Sequence, residues 1–418
     1  MSSFVKKILI AGILTALAIT VLPLFPAETK AADYKSAIVW QAEAIDMGTG
    51  YKETGDLKTK AGCIGSCFYT YGKGKYMRLH ITNKYGTKPL RLSAIYISRV
   101  RKNDDAVMPT TVKQMTVNGE KSVNIPAGDS VWTDFVRINV NFDNKYEYFL
   151  FSNEAFDLKT MCGEFRHIKY IDEKSPDKLF KGFDPKSVTQ LNYGFCGMPF
   201  MDTVEAKVSK VNSVFLLFGD SQTTMSYPER LNDRLYDMEK TGVSVLTDAV
   251  AGNCLTHDSA TIPRHGTAGI DRFKAFIDRY SDYDVKGVLI MIGSNDIIMS
   301  GRQNINGEET SVESLTKAYE DMIDYCHKRD MKVYMSTLIP FEGSVMGTKE
   351  ATEMRREIND WILSNKDLDG TIDSGLMLRD INLHNCLAKE YDNGDHIHQN
   401  ELGDQVIAGS IPIKWITD

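Results

Sequence analysis

The chain has 418 residues, a length that suits two ordinary domains better than one. Hydrophobic residues make up 42% of it and charged residues 25%, the composition of a soluble globular protein. The formal net charge of −7 argues against a nucleic-acid partner, because an electrostatic nucleic-acid binder needs a basic surface.

Residues 1–32 have the pattern of a secretory signal peptide. Lys6 and Lys7 precede the apolar run ILIAGILTALAITVLPLF, and the small residues around Ala31 and Ala32 suit a cleavage site. This predicts a secreted, extracellular protein with no membrane partner after cleavage. An uncleaved segment would instead anchor the chain, because the run approaches the shortest length that spans a bilayer.

Residues 33–208 show the period of β-strands. In YMRLHITN, Met77, Leu79 and Ile81 alternate with polar residues, as in a strand with one buried face. Asn118-Gly119 lies between two alternating runs, which is the strongest short signal for a β-hairpin. Many short strands joined by turns predict an all-β, jelly-roll-like sandwich domain with an accessory role over 33–208.

The hydrophobic period changes in the second domain, which we place at 209–418. The runs VFLLF, VKGVLIMIG and MKVYMSTLIP are almost continuously apolar, like the strands of a parallel sheet that is covered on both faces. Helix-period stretches such as SVESLTKAYEDMIDYCHKR lie between them. The alternation predicts a doubly wound α/β domain, whose ligand site lies at the carboxyl ends of the strands.

Two serines, Ser130 and Ser221, each follow a Gly-Asp pair. Ser130 lies in a turn between two predicted sandwich strands, where Gly and Asp are ordinary turn residues. Ser221 follows a buried strand, and a helix with Pro228 in its first turn comes next. A strand-to-helix turn exposes a side chain and directs backbone N–H groups towards a ligand, so Ser221 is the candidate nucleophile. Its structural alternative is a helix N-cap.

The segments after later strands supply the groups that a nucleophilic serine needs. Gly252 and Asn295 each follow an apolar strand, and a backbone N–H and a side-chain amide can stabilise an oxyanion. Asp395 lies three residues before His398, so its carboxylate can orient the imidazole that takes the serine proton. The order of these residues, each at the end of a strand, predicts an acyl-serine site.

These segments resemble the four sequence blocks of the SGNH, or GDSL-type, hydrolase superfamily. The four residues that name the family match Ser221, Gly252, Asn295 and His398, with Asp395 as the acid of the triad. The resemblance implies a flavodoxin-like three-layer α/β/α fold and ester hydrolysis through an acyl-serine intermediate, with no cofactor and no metal. It also implies an oxyanion hole formed by the backbone N–H groups of Ser221 and Gly252 and the side-chain amide of Asn295.

Two positions depart from the family pattern. The family commonly has Gly and Pro around its last histidine, whereas this chain has DHIHQ, so His396 is a competing imidazole. The spacing from acid to base favours His398. Gln222 stands where an aliphatic residue is usual, which would alter the rim of the pocket.

The first domain also carries a resemblance. RLHITNKYGTKPLRLSAIYIS and MTVNGEKSVNIPAGDSVWTDFV are similar to the β-sandwich that precedes the catalytic domain in some bacterial SGNH esterases, a group that includes deacetylases of plant polysaccharides. This implies a secreted carbohydrate acetylesterase whose partner is an acylated polysaccharide or oligosaccharide. A secreted GDSL-type lipase or lysophospholipase is the alternative, an acyltransferase would have the same sequence features, and a non-catalytic carbohydrate-binding surface protein is a further alternative.

Other chemistries have weaker support. Asp395 with His396 and His398 offers oxygen and nitrogen ligands for a metal, to which His257, Asp258 and His265 could add. No His-Glu-x-x-His motif or Cys-x-x-Cys pair accompanies them. FGDSQTT lacks the G-x-G-x-x-G spacing of a dinucleotide site, and the G-x-S-x-G elbow of α/β-hydrolases does not occur.

The chain has seven cysteines, an odd number that leaves at least one thiol free in an exported protein. Cys63 and Cys67 have no accompanying His or second Cys pair, so they are a weak zinc signal. The sequence favours structural or buried thiols.

Overall fold

A computed structural model describes residues 35–48, 60–163, 168–181, 188–191, 197–208, 213–240, 242–258, 265–299 and 309–418. The predicted signal peptide, residues 1–32, lies outside these ranges and stays a prediction. None of the helices within them is long and apolar enough to cross a membrane.

Sixteen strands, one short α-helix and a 3-10 turn at Pro109–Thr111 make up the described part of the N-terminal region. The strands are β1 (Lys35–Gln41), β2 (Ala44–Asp46), β3 (Gly62–Tyr69), β4 (Gly74–Thr82), β5 (Leu90–Leu92), β6 (Ala94–Val100), β7 (Lys113–Met115), β8 (Val123–Ile125), β9 (Ser130–Trp132), β10 (Val136–Val140), β11 (Lys145–Ser152), β12 (Thr160–Cys162), β13 (Ile168–Ile171), β14 (Val188–Leu191), β15 (Met198–Pro199) and β16 (Met201–Val208), and the helix is α1 (Pro176–Lys181). One antiparallel sheet has the order β1-β16-β4-β10, with β9 also paired to β4, and a second has the order β14-β13-β3-β11-β6-β7. Two smaller sheets, β15-β12-β2 and β5-β8, complete the region.

The two large sheets enclose one apolar core, which confirms the predicted sandwich. Leu79 and Ile81 of β4 belong to the same buried cluster as Ile64 of β3 and Tyr148 and Leu150 of β11. The apolar residues of YMRLHITN face the opposite sheet, so the strand has the one buried face that its alternating pattern predicts.

The hairpin predicted at Asn118-Gly119 is only partly correct. Both residues have positive φ, 53° and 83°, as a two-residue hairpin turn requires, and Val117 bridges Glu120 across it. The flanking strands then separate, because β7 pairs with β6 while β8 pairs with β5. Pairing with other strands of the sandwich replaces extension of the hairpin.

The second region is an α/β domain with a five-stranded parallel sheet. Its strands are β17 (Ser213–Gly219), β18 (Val243–Ala249), β19 (Val285–Met291), β20 (Val333–Ser336) and β21 (Gly370–Ile372), and its helices are α2 (Ser221–Thr224), α3 (Tyr227–Asp237), α4 (Gly269–Arg279), α5 (Ser294–Ile298), α6 (Val312–His327), α7 (Lys349–Ser364), α8 (Ser374–Leu378), α9 (Glu401–Ser410) and α10 (Lys414–Thr417). The strand order β18-β17-β19-β20-β21 is the flavodoxin-like order that the sequence predicts.

Helices cover both faces of the parallel sheet. Leu216 and Phe218 of β17 pack in a cluster with residues of α4, α6 and α7. Phe215 and Leu217 face the other way, into a cluster with residues of α3, α9 and α10. Because successive strand residues point to opposite faces, a continuous apolar run such as VFLLF fills both layers at once.

The sandwich lies against the edge of the parallel sheet, with β1 beside β18. The Tyr280 hydroxyl donates to Gln41 Oε1 at 3.0 Å, and the Ser244 hydroxyl donates to the carbonyl of Tyr71 at 2.7 Å. Arg279 forms an ion pair with Glu43 at 3.2 Å. The sandwich thereby covers a sheet edge that would otherwise present unpaired backbone groups.

The described cysteines are thiols. Cys63, Cys67, Cys162, Cys254, Cys326 and Cys386 form no disulfide with one another, and Cys196 lies outside the described residues. Burial raises the pKa of Cys67 and Cys326, the latter to about 12, so these thiols stay protonated at neutral pH.

Candidate active site

Ser221 lies just after the carboxyl end of β17, in a tight strand-to-helix turn. β17 ends at Gly219, and Ser221 is the first residue of α2. The Asp220 carboxylate caps α2 by accepting a hydrogen bond from the backbone N–H of Gln222 at 3.0 Å. Because Asp220 takes the capping role, the structural alternative for Ser221, a helix N-cap, does not apply.

Three of the predicted site residues form one hydrogen-bonded chain. Ser221 Oγ lies 2.7 Å from His398 Nε2, and His398 Nδ1 lies 2.6 Å from Asp395 Oδ2. The other carboxylate oxygen of Asp395 accepts the backbone N–H groups of Ile397 and His398, each at 2.9 Å. Four residues of one loop thus fix the carboxylate and the ring against a serine that lies far away in sequence.

The hydrogen bonds to Asp395 keep its carboxylate ionised. Partial burial works to raise the pKa of Asp395, but the hydrogen bonds from the ring and backbone of His398 and from Ile397 outweigh it and lower the pKa. An anionic Asp395 holds the proton of the neutral imidazole on Nδ1, which leaves Nε2 free to accept the hydrogen bond of the Ser221 hydroxyl.

The competing imidazole has a different partner. His396 Nδ1 lies 2.6 Å from Asp392 Oδ2, and the His396 side chain is 55% exposed. Its φ of 62° turns the backbone between the two histidines. Among the described residues, His398 is the histidine that contacts Ser221.

The turn after β18 holds the predicted glycine. Gly252 has a φ of 74°, and a Cβ atom there would overlap the ring of His265. Both conditions require glycine at this position. Its neighbour Asn253 is tied to the next loop by hydrogen bonds from Asn253 Nδ2 to the carbonyls of His265 and Thr267, at 2.6 and 2.7 Å.

Asn295 is the second residue of α5, which follows β19, and its amide points to the Ser221 turn. Asn295 Nδ2 donates to Asp220 Oδ2 at 3.2 Å and to the carbonyl of Asn253 at 3.0 Å. It therefore links the turn that carries Ser221 to the turn that carries Gly252. Both amide hydrogens are engaged in the ligand-free chain, so an oxyanion would take one of them from Asp220.

The sequence prediction missed two buried charged residues beneath the site. Arg272 of α4 forms an ion pair with Asp248, donates to the carbonyl of Gly219 at 2.7 Å and contacts Asn253 Oδ1 at 3.1 Å. It thus holds the end of β17 and the Gly252 turn in place. The only signal in the sequence is an arginine inside the apolar stripe of GIDRFKAFIDR, a position where a charge is buried only when it is paired.

The metal ligands proposed from the sequence do not assemble. Asp258 accepts a hydrogen bond from the backbone N–H of Ala268 at 2.7 Å, and both ring nitrogens of His398 are engaged by Ser221 and Asp395. Cys254, His257 and Asp296 do lie close together within the described residues. The Asp296 oxygens there accept the N–H groups of Leu255 and Thr256 at 2.7 and 3.0 Å, so this carboxylate holds the loop after Gly252.

Asp220 is buried, with 1% of its surface exposed. Burial raises the pKa of Asp220 to about 7. The hydrogen bond from the backbone N–H of Gln222 and the electrostatic interaction with His398 act in the opposite direction and lower this pKa. The group beside Asn295 therefore changes charge near neutral pH.

Replacing Asp220 by asparagine should change how stability depends on pH. With a folded-state pKa near 7 and an ordinary carboxyl pKa of 3.8, Asp220 holds a proton in the folded chain at pH values where the unfolded chain has lost it. The contribution of Asp220 to the free energy of unfolding of the wild-type protein therefore falls as the pH rises from about 4 to about 7. Asp220→Asn removes this loss. The free energy of unfolding of the variant minus that of the wild type should therefore be about 2 kcal/mol larger at pH 8 than at pH 5. Both values are measured by urea denaturation.

Asp129→Asn is the matched control for this measurement. Asp129 belongs to the second Gly-Asp-Ser sequence and lies in an exposed turn of the sandwich. Its substitution should leave the difference between the two pH values unchanged. If Asp220→Asn and Asp129→Asn showed the same change in free energy of unfolding between pH 5 and pH 8, that would contradict the titration of a buried Asp220.

The family comparison agrees with the fold of the second domain. Residues 215–411 match the family described as GDSL-like Lipase/Acylhydrolase. The second domain is therefore a GDSL-type hydrolase domain of the SGNH superfamily, and the resemblance found in the sequence is confirmed. The family is one of acyl-ester hydrolases, which makes an esterase or hydrolase the class of this domain.

Solved structures similar to this chain include a GDSL-like lipase from Bacteroides thetaiotaomicron, with 12% identity over 49% of this chain and 87% of that chain and a TM-score of 0.36. They also include a catalytic mutant of an acetylxylan esterase from Geobacillus stearothermophilus, with 13% identity over 50% of this chain and 98% of that chain and a TM-score of 0.36. No curated protein matches the chain.

Proposed function

We propose that the protein is a secreted serine esterase that removes small acyl groups, acetyl above all, from carbohydrate. The observation that carries the proposal is the hydrogen-bonded chain from Ser221 through His398 to Asp395. This is the arrangement that activates a serine hydroxyl for acyl transfer. The GDSL-like acylhydrolase match of the same domain supports an ester as the substrate.

In the first half of the reaction, Ser221 Oγ attacks the ester carbonyl while His398 Nε2 takes the hydroxyl proton. The negative charge on the carbonyl oxygen is stabilised by the backbone N–H groups of Ser221 and Gly252 and by the amide of Asn295. When the tetrahedral intermediate collapses, the ester C–O bond breaks and His398 gives its proton to the leaving sugar hydroxyl. Ser221 then carries the acyl group.

Water completes the cycle by the same route. His398 Nε2 takes a proton from the water, whose oxygen attacks the acyl carbon, and the proton then returns to Ser221 Oγ. The products are the free acid and the regenerated serine. Asp395 keeps its charge throughout and stabilises the imidazolium that forms in each half.

Asn295 shifts its hydrogen bonding as charge develops. In the ligand-free chain one of its amide hydrogens contacts Asp220 at 3.2 Å, which is long for a bond to a carboxylate. An oxyanion near Ser221 competes for that hydrogen. The hydrogen bond that Asn295 loses to Asp220 offsets part of the stabilisation that it gives to the oxyanion. Protonation of Asp220 makes its carboxyl group a weaker acceptor and so reduces this cost.

We infer a small acyl group because the side chains that hydrogen-bond around the Ser221 and Gly252 turns, those of Asp220, Asn253 and Asn295, are polar. Each buried methylene of an acyl chain contributes about 0.8 kcal/mol only where apolar surface receives it. The signal-peptide pattern of residues 1–32 supports secretion, where a polysaccharide ester would be met.

The acyl preference is tested with a substrate panel. We expect the purified protein to release acetate from acetylated xylan or mannan and to cleave 4-nitrophenyl acetate faster than the corresponding long-chain ester. Acetate release is measured directly, with Ser221→Ala protein as the blank. A preference for the long-chain ester would contradict the deacetylase proposal and favour the alternative of a lipase or lysophospholipase.

A further inference from the structure

A crevice runs between the sandwich and helix α3, beside the proposed active site. It consists of two adjoining hollows with cavity volumes of about 60 and 230 Å³, which share Tyr71, Glu229 and Asn232 as lining residues. At its far end the rings of Phe142 and Tyr236 lie 5.4 Å apart and join the two domains. Both domains therefore contribute walls to one continuous groove.

The near end of the crevice lies one helical turn from the nucleophile. Thr224 lines the first hollow, and its hydroxyl donates to the carbonyl of Ser221 at 2.8 Å. Residues three apart on a helix have Cβ atoms about 5–6 Å from each other. The end of the crevice at Thr224 therefore lies about one helical turn from Ser221.

Two buried amides on the crevice wall have unused hydrogen-bonding capacity. Gln41 is 5% exposed and Asn232 is 2% exposed, and both line the first hollow. Gln41 Oε1 accepts from Tyr280 and Asn232 Nδ2 donates to the carbonyl of Pro228. Gln41 Nε2 and Asn232 Oδ1 have no hydrogen-bond partner within the described residues.

These two atoms are a donor and an acceptor, and a hydroxyl group can satisfy either one. Leaving buried polar atoms unpaired costs free energy that a hydroxylated ligand recovers after a small side-chain rotation. The aromatic rings of Trp40, Tyr69 and Tyr71 add apolar surface with polar edges to the same walls. Aromatic rings next to hydrogen-bonding side chains are suited to a polyol with apolar C–H faces.

The charges on the walls indicate a neutral ligand. Four carboxylates line the two hollows, on Glu43, Asp143, Glu229 and Asp233, against two cationic side chains, on Lys102 and Arg230. Arg279 already neutralises Glu43 from behind the wall, and the two lining cations, Lys102 and Arg230, are paired with Asp143 and Asp233. Neither lining cation is left to bind the carboxylate of an acidic sugar. We propose that the crevice binds the neutral sugar chain that carries the ester, an inference that rests on the proposed function and names its substrate class.

The test measures binding directly and keeps it separate from catalysis. Ser221→Ala protein, as the full chain, is titrated with xylohexaose and with mannohexaose in a calorimeter. We expect binding of at least one of them, and we expect Glu229→Trp in the same background to weaken it by about tenfold or more, because the indole fills the groove. Glu357→Trp, at an exposed position of α7 away from the crevice, is the matched control and should change Kd by less than about twofold.

Three results would overturn the inference: no binding of either oligosaccharide, equal Kd values for Glu229→Trp and Glu357→Trp, or tighter binding of oligogalacturonate than of the neutral chains. Circular dichroism checks that each variant folds, and Tyr71→Leu replaces Glu229→Trp if the latter does not. Wild-type hydrolysis of 4-nitrophenyl acetate without oligosaccharide binding would remove the crevice proposal alone. Binding in the crevice without ester hydrolysis would remove the proposed esterase alone.

Discussion

Replacing Ser221 by alanine should lower kcat for 4-nitrophenyl acetate by at least about 10⁴-fold while the chain stays folded. Without Oγ, His398 has no hydroxyl to activate, and the remaining oxyanion donors give only the residual rate of a site that lacks its nucleophile. Loss of one buried hydroxyl removes its bond to His398 but leaves the apolar core unchanged, so the unfolding transition should shift little.

Ser130→Ala is the matched control, because Ser130 stands in the same Gly-Asp-Ser tripeptide. It is an exposed residue of β9, where it pairs with Thr82 of β4 on the sandwich. We expect Ser130→Ala to keep the wild-type rate. A Ser221→Ala protein with the wild-type rate would refute the serine mechanism, and a wild-type protein inactive on all esters would favour the non-catalytic carbohydrate-binding alternative.

The sequence predicted those parts of the fold that depend on local pattern. Apolar runs in the second domain gave the parallel strands, and the alternation around Leu79 gave the sandwich, because side-chain period follows directly from backbone geometry. Ser221, Asn295 and His398 could be named for a related reason. Each lies next to the end of a strand or in a short motif, and ends of parallel strands meet at one edge of the sheet.

The parts that the sequence could not predict depend on contacts between distant segments. The bond from Asn295 to Asp220 joins residues whose partnership no spacing indicates. Arg272 stands inside an apolar helical stripe in the sequence, and only the packed structure shows that Asp248 is the partner that neutralises it in the interior. The crevice likewise arises where two domains meet, and neither domain's pattern contains it.

Substituting His398 and His396 one at a time tests which of the two imidazoles takes the proton of Ser221. His398→Asn should lower kcat/KM for 4-nitrophenyl acetate by at least about 10⁴-fold, because it removes the base whose Nε2 lies 2.7 Å from Ser221 Oγ. His396→Asn should keep kcat/KM within about threefold of wild type, since asparagine tolerates the left-handed backbone that His396 adopts with its φ of 62°.

Comparing the two variants is informative because both imidazoles have the same kind of hydrogen-bond partner on one side of the ring. Each ring donates from Nδ1 to a nearby carboxylate at 2.6 Å, Asp392 for His396 and Asp395 for His398. Only the second nitrogen differs, since that of His398 reaches Ser221 at 2.7 Å. If His396→Asn removed activity and His398→Asn did not, the proton would pass through His396 and the loop would have to rearrange on binding substrate. Equal losses in both variants would instead indicate that the loop acts as one structural unit, with Asp392 and Asp395 holding its shape.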